Sequence, residues 1–257
     1  MRTRLAIISD VHGNAEALTA VLEDIDRAGI HDIACLGDTV GYGASPETCV
    51  SMVAALGERL VVHVRGNHED ALFDTDAFAE MNGVARTASR WTRHRLPKPH
   101  LDWLRQVPGA ADLGGLQVVH DSPMPAANTY LRDRCGAAVA FRGVAREICL
   151  VGHTHVPLLF ETTVGTPDAA PDLEQIAARL LHEDEPVPLA RGHRFILNPG
   201  SVGQPRDADR RASWAVLDLE DRTFRIRRVE YDVAAAQRAV EEAGLPERIS
   251  ARLAVGA

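Results

Sequence analysis

A chain of 257 residues, 46% of them hydrophobic, has ample material for a buried core, and a single domain with one inserted lobe is expected. Its formal charge of −8 argues against a surface built to neutralise nucleic-acid phosphates and leaves only a local basic patch open. No apolar stretch reaches the roughly 18 to 20 residues that span a bilayer, and Met1-Arg2-Thr3-Arg4 runs straight into a strand instead of a signal-peptide core. A soluble, cytoplasmic protein with no membrane partner is therefore expected. Cys35, Cys49, Cys135 and Cys149 form no C-x-x-C pair and read as small buried hydrophobes in a reducing compartment, neither disulfides nor a zinc site.

In chain order, residues 5–8 read as a buried strand, followed by Asp10-Val11-His12. A helix then carries Leu18, Val21, Leu22 and Ile25 on one face and stops at Gly29. The strand at 33–36 runs into Gly37-Asp38. Pro46, preceded by Ser45, starts a second helix expected to turn Val50, Val53 and Ala54 inward. The strand at 60–62 is followed by Gly66-Asn67-His68-Glu69. Residues 71–109 differ from this alternation: Phe73, Phe78, Met81, Trp91 and Trp103 accompany Arg86, Arg90, Arg93 and Arg95, with helical spacing broken at Pro97 and Pro99. This stretch reads as a small helical lobe beside the mouth of the site.

Strands resume at 116–120, ending on His120, and at 148–151, ahead of Gly152-His153-Thr154-His155, with a helix near 136–142 between them. The polar segment 166–188 reads as a surface excursion around one short helix at 173–181. A strand at 195–197 enters the turn Asn198-Pro199-Gly200-Ser201-Val202-Gly203. Residues 213–217 and 224–229 read as an antiparallel hairpin, and 233–243 and 246–253 as two closing helices.

Asp10 to Asp38 is 28 positions and Asp38 to Asn67 is 29, close to the roughly 30 residues of a β-α-β unit. Each polar group should thus sit just beyond a strand's C-terminal end, the edge at which open α/β sheets collect ligands. Singly each group is weak: Asp-x-His suits a hydrogen-bonded turn, Gly37-Asp38 a helix cap, and Asn67-His68-Glu69 a polar helix start. Gly152-His153-Thr154-His155 is stronger, because alternating His at a strand end share a face and Gly permits close backbone approach. Together Asp10, His12, Asp38, Asn67, His120, His153 and His155 offer carboxylate, amide and imidazole donors, a set suited to hard divalent ions such as Mn²⁺ and lacking the thiolates of structural zinc. A shared carboxylate can hold two ions roughly 3.5 to 4 Å apart, which acidify a bound water and polarise a phosphoryl oxygen.

On these motifs the chain resembles the calcineurin-like metallophosphoesterases almost from end to end. The resemblance implies an α/β fold, a four-layer α-β-β-α sandwich of two mixed β-sheets (the metallo-dependent phosphatase fold), spanning 1–257 as one domain with 71–109 as its helical lobe. It implies a first ion on Asp10, His12, Asp38 and His155 and a second on Asp38, Asn67, His120 and His153, with Asp38 bridging. Manganese is the expected metal, and iron, zinc, nickel or cobalt also suit such donors. His68 is implied to lie outside the ligand set and to meet the phosphate or the leaving group. Asn67 and Arg206 are the candidate substrate contacts. The stretches Gly-Asp-Thr-Val-Gly-Tyr-Gly at 37–43 and Asn-Pro-Gly-Ser-Val-Gly-Gln-Pro-Arg at 198–206 resemble a bacterial branch described as predicted phosphodiesterases.

The reaction expected from that resemblance is hydrolysis of a small phosphorylated substrate, a mono- or diester, by in-line attack of a metal-bridging hydroxide, with His68 assisting the departing oxygen. Diadenosine tetraphosphate is a second candidate substrate, onto whose bases Tyr42, Trp91 or Trp103 could stack if the Trp residues do not simply pack the lobe. A nuclease is disfavoured by the net charge. A protein-binding scaffold of the same fold is disfavoured because every catalytic position, His68 included, is filled. Homo-oligomers occur among relatives, but no interface stripe stands out.

Two positions carry open alternatives. Where related chains read His-Gly-Ser-Pro, this one reads His120-Asp121-Ser122-Pro123. Asp121 is expected to occupy a left-handed turn, or otherwise to add negative charge beside the second ion. Arg206 either meets a substrate phosphate or is solvated beside Asp207 and Asp209.

Overall fold

The computed structural model describes residues 3–124, 130–163 and 171–257. Its strands are β1 (Arg4–Ile8), β2 (Asp32–Cys35), β3 (Leu60–His63), β4 (Ala110–Leu113), β5 (Leu116–Val119), β6 (Ile148–Leu150), β7 (Pro157–Thr162), β8 (Ile176–Leu180), β9 (Val187–Pro188), β10 (Arg194–Pro199), β11 (Ala212–Asp218) and β12 (Thr223–Val229). Its helices are α1 (Ala15–Arg27), α2 (Pro46–Ala55), α3 (Asn67–Asp70), α4 (Thr75–Glu80), α5 (Gly83–Arg95), α6 (Lys98–Gln106), α7 (Arg134–Ala140), α8 (Val233–Glu242) and α9 (Glu247–Val255).

The strands form two six-stranded sheets, ordered β3-β2-β1-β11-β12-β9 and β4-β5-β6-β10-β7-β8. Strand alternation explains why they stack as layers. Leu5 and Ile7 of β1, with Ala34 and Leu36, meet Val118, Leu150, Phe195 and Leu197 of the other sheet in one buried cluster. The intervening residues Ala6, Ile8, Ile33 and Cys35 face outward onto Leu18, Val21 and Ile25 of α1 and Cys49 and Val53 of α2. On the far side Cys149, Phe160 and Ile196 pack under Ala137, Ala140 and Phe141 around α7. Helices therefore cover both outer faces, giving the expected α-β-β-α sandwich.

Both sheets have a parallel core, β1-β2-β3 in one and β5-β6-β10 in the other. All six of these strands point the same way within their sheets, so their C-terminal ends converge on one edge of the sandwich. Asp10, Asp38, Asn67, His120 and His153 follow the first five of them, and Asn198 to Arg206 extends from the sixth.

Three local expectations need correction. The helix at 173–181 is instead a 3-10 turn, Leu173–Gln175, leading into edge strand β8, which pairs antiparallel with β7. Leu173, Ala177 and Leu180 mimic a helical stripe, yet Leu173 and Leu180 are exposed, and only Ile176 and Leu181 reach the core. Strand pairing outweighs this weak periodicity. The polar segment containing it begins at 166, which lies outside the described residues. In α2 Ala54 is exposed and Cys49 takes the inward place. Strand β4, absent from the sequence reading, hairpins onto β5 through Gly114-Gly115, both with positive φ. Among the described residues no helix is long and apolar enough to cross a membrane.

Candidate metal centre

The backbone at the converging edge is unusual. Of nine described non-glycine residues with positive φ, six lie here: Asp10, His12, Asp38, Tyr42, His153 and His155. Each such residue costs roughly 1–2 kcal/mol, so the surroundings must hold them. The Asp10 amide donates to Gly37 O (3.0 Å) and the His12 amide to Asp38 O (2.8 Å), stitching the β1 and β2 loops together. The His153 amide donates to Asp10 Oδ2 at 3.0 Å, tying the second sheet to the first. Strain concentrated in this way marks functional loops.

Glu69 holds the Asp38 turn. Fully buried, its Oε2 accepts from the amides of Asp38 and Gly66, both at 2.8 Å, and its Oε1 from the amide of Val40 at 3.1 Å. Burial and the charge of Asp38 push its carboxyl up to about 7, against the pull of those amides.

The imidazoles are aimed by backbone carbonyls. His12 Nδ1 donates to Val40 O, His120 Nδ1 to Leu36 O and His155 Nδ1 to Gln204 O, at 3.1, 2.7 and 2.6 Å. A carbonyl only accepts, so each Nδ1 carries hydrogen, and in the neutral ring each Nε2 presents a lone pair inward. His12 Nε2 and His155 Nε2 lie 3.1 Å apart. Asp10 Oδ1 is 3.2 Å from His155 Nε2 and has no hydrogen-bond donor. On the other side Asp38 Oδ2 is 3.1 Å from His120 Nε2, and Asn67 Oδ1 is 3.0 Å from His153 Nδ1.

Three overlapping groups result, Asp10-His12-His155, His12-Asp38-His68 and Asp38-His120-His153, with ligand atoms in each within 4.8 Å of one another. His12 Nε2, 3.7 Å from Asp38 Oδ2, links them. Lone pairs crowded in a buried site call for cations. Burial alone would raise the carboxyls of Asp10 and Asp38, yet the surrounding imidazoles hold both well below the ordinary carboxylate range. Burial opposes a charge on His120, but Asp38 overrides it and pushes the imidazole up to about 10 with no cation bound, so a metal ion on Nε2 would take the place of that proton. Burial pulls His153 and His155 down to about 4, leaving them neutral and ready to ligate at neutral pH. The donor set therefore fits divalent metal ions.

His68 sits at the first turn of α3, its amide donating to Asp38 Oδ1 at 2.9 Å. Its buried ring packs against His12 and Tyr42, with centroids 4.8 and 4.5 Å away, and its Nδ1 has no partner. Burial brings its imidazole down to about 3. A cavity of about 390 Å³ opens over these groups, with Asp38, Asn67, His68, His153, His155 and Arg206 in its wall, a size suited to a small ligand. Ala77 and Glu80 of α4 and Asn82, which caps α5, also line it.

Asp121 does not have positive φ, so the left-handed turn is not formed. Its Oδ1 instead accepts from the Ser122 amide at 2.6 Å, and its charge reaches His153 from the cavity wall. Arg206 is not solvated beside its acidic neighbours: Asp207 pairs with Arg228 and Asp209 with Arg211, leaving Arg206 facing the cavity. Trp103 packs at a tilt against His63, ring centroids 5.1 Å apart, and Trp91 packs beside Phe78 and Val84, and neither lines the cavity. Sequence reasoning missed Glu69, the Gln204 carbonyl, Ser9 (whose hydroxyl donates to Asp10 Oδ2 at 2.6 Å) and Tyr130, which stacks on His153 at 4.5 Å. Of these only Glu69, directly after Asn67-His68, had a sequence signal.

Two facing mixed sheets with Asp and His donors gathered at their converging strand ends define a metal-dependent phosphoesterase. The family model of the calcineurin-like phosphoesterase superfamily domain matches residues 3–222, and the chain belongs to that family. It is accordingly a hydrolase of phosphate esters. The chain is similar to a metallophosphoesterase from Sphaerobacter thermophilus, with 40% identity, a TM-score of 0.84 and 99% of each chain covered. It is 34% identical to the uncharacterized protein MJ0912 of Methanocaldococcus jannaschii over all of this chain and 99% of that one. The hypothetical protein PH1004 from Pyrococcus horikoshii OT3 shares the fold at 21% identity and a TM-score of 0.77, over 99% of this chain and 98% of that one.

Proposed function

We propose that the protein hydrolyses small phosphate mono- or diesters with two divalent metal ions, manganese foremost. Asp10, His12, Asp38 and His155 would hold one ion and Asp38, Asn67, His120 and His153 the other. The observation that carries this reading is the convergence of buried lone pairs, above all Asp10 Oδ1 and the facing Nε2 atoms of His12 and His155. The bound ions would supply an acidified water and neutralise charge on the phosphoryl oxygens. Cys35, just ahead of the Asp38 turn, does not compete as a thiolate, because burial pushes its thiol up to about 12.

The chain's own side chains do the positioning. His68 keeps one ring N–H in either neutral tautomer and donates it to the departing oxygen at the cavity floor. Its ring is wedged between His12 and Tyr42, which fixes its direction before substrate arrives. Arg206 offers a guanidinium to a non-bridging phosphate oxygen. Glu80 and Asp121, acidic groups among the cavity's lining, disfavour long polyanions such as nucleic acid or dinucleoside tetraphosphates. The four free cysteines suit the reducing cytoplasm.

The test strips the protein with chelator, reloads it with Mn²⁺, and compares p-nitrophenyl phosphate, bis(p-nitrophenyl) phosphate and diadenosine tetraphosphate, with Asp38→Asn as blank. Metal-dependent release of nitrophenol from either aryl ester, absent in the blank, is expected. No turnover of any substrate after reloading sinks the reading.

A further inference from the structure

Three of the imidazoles assigned to the ions are aimed in the same way, with the Nδ1 atoms of His12, His120 and His155 held by the carbonyls of Val40, Leu36 and Gln204. His153 has no such carbonyl among the described residues. Its Nδ1 faces Asn67 Oδ1 at 3.0 Å, and a cation that takes both lone pairs leaves no hydrogen bond between them. The His153 amide donates to Asp10 Oδ2 at 3.0 Å, which fixes the backbone at φ 66° and leaves the side-chain torsions free. Asp10-His12-His155 is wholly buried, whereas in Asp38-His120-His153 the last member is half-buried.

What covers the His153 ring is Tyr130. The two rings stack with centroids 4.5 Å apart and planes 22° from parallel, while His120 meets the same imidazole edge-on at 5.3 Å. The Arg132 guanidinium lies over the Tyr130 ring, 4.7 Å from its centroid, and the Arg132 amide donates to Tyr130 O at 2.9 Å. The chain is anchored directly after Tyr130. Leu131 is buried in one apolar cluster with Val119, beside His120, and Val151, just ahead of Gly152-His153. Asp133 caps α7, its Oδ1 accepting from the Gly136 amide at 2.9 Å. Tyr130 itself is 48% exposed and lines the cavity, so it adds little to the core, and the surface it does cover is the face of a candidate ligand. An imidazole bound to a cation is electron-poor, and the negative π-face of a phenol ring attracts it.

We propose that Tyr130 is a positioning residue for the second metal ion, its ring holding the His153 imidazole in the ligating rotamer as backbone carbonyls do for the other three. The proposal rests on the two-ion reading and deepens it. The two sites are then unequal: the first ion's affinity is set by buried residues, and the second's depends on an aromatic ring in the cavity wall. The ring is needed and the hydroxyl is not.

Calorimetric titration of the chelator-stripped protein with Mn²⁺ reads both sites without turnover, and electron paramagnetic resonance separates a spin-coupled Mn²⁺ pair from isolated ions. The wild type should take up both ions and give the coupled signal. Tyr130→Ala should bind the second ion about tenfold more weakly, as expected on losing an outer partner of a metal-binding histidine, and leave the first unchanged, so that the isolated-ion signal grows. Tyr130→Phe, which keeps the stack, should retain the wild-type titration and spectrum. An unchanged second-ion affinity and spectrum in Tyr130→Ala overturns the proposal, and a rise in KM alone would make the ring a substrate contact. Equal weakening of both ions in Tyr130→Ala, or a Tyr130→Phe as impaired as Tyr130→Ala, overturns it as well. The expected loss of the second ion, with no turnover of aryl phosphates by the wild type, would retain the role of Tyr130 and remove the hydrolytic reading. A wild type that binds no Mn²⁺ removes both.

Discussion

Glu69→Gln is the most informative single change, because it leaves every metal donor in place and alters only what holds Asp38. The carboxylate accepts three amides in a fully buried position, two on Oε2 at 2.8 Å and one on Oε1 at 3.1 Å. Glutamine keeps one acceptor oxygen, so its amide nitrogen must face the N–H of Val40 or the pair from Asp38 and Gly66. A lost hydrogen bond to a charged acceptor, with a donor left buried, costs about 2–3 kcal/mol, partly offset by removing a buried charge. A net loss of ~2 kcal/mol corresponds to a fall in Tm of about 4–8 °C for a chain of this size. The Asp38 turn, left-handed at φ 52°, loses its clamp, so bound metal should also leave faster to chelator. Glu69→Ala, which orphans all three amides, should cost more, ~4 kcal/mol. Thermal denaturation near pH 8 and chelator-stripping rates check both points. A Tm and stripping rate equal to wild type in Glu69→Gln would refute the view that Glu69 holds Asp38.

His68→Ala should keep its metal content and lose roughly 10²–10⁴-fold in kcat; parallel loss of metal would assign the histidine to packing. Gly41→Ala should mimic it, because at φ +88° a Cβ would lie 2.1 Å from His68 Nδ1; an unchanged kcat would show that the His68 position is immaterial. His63, packed at a tilt against Trp103, has its imidazole pulled by burial down to about 4. The unfolded chain therefore binds the extra proton first, and stability present above pH 6.5 is lost as pH falls towards 4, by about 3 kcal/mol. His63→Gln should flatten the dependence of Tm on pH in that window, and an identical slope in the variant would contradict the assignment.

The strand-end placement of the donors was legible because strand length and β-α-β spacing are local properties, and β1, β2, β3, β5 and β6 fall where the apolar runs lie. Chemistry-bearing side chains announce themselves by type, so Asp10, His12, Asp38, Asn67, His120, His153 and His155 could be gathered without coordinates. Their aim could not. The carbonyls of Val40, Leu36 and Gln204 that fix the ring tautomers carry no residue signature, and any side chain supplies the same acceptor. Strand β8 escaped for a different reason: its pairing with β7 is a tertiary contact, and its exposed face lacks strand alternation. Asp121 was read through the glycine it stands in for, but its side chain caps its own loop without needing positive φ. The pairing of Asp207 with Arg228 of β12, which helps leave Arg206 facing the cavity, is a long-range contact that sequence alone does not give.

Anomalous X-ray scattering from a crystal of the Mn²⁺-loaded protein, recorded above the manganese edge, tests the account's central claim most directly. Two peaks are predicted, one among Asp10, His12 and His155 and one among Asn67, His120 and His153, with the Asp38 carboxylate touching both. A single peak, or two that do not share Asp38, would contradict the account.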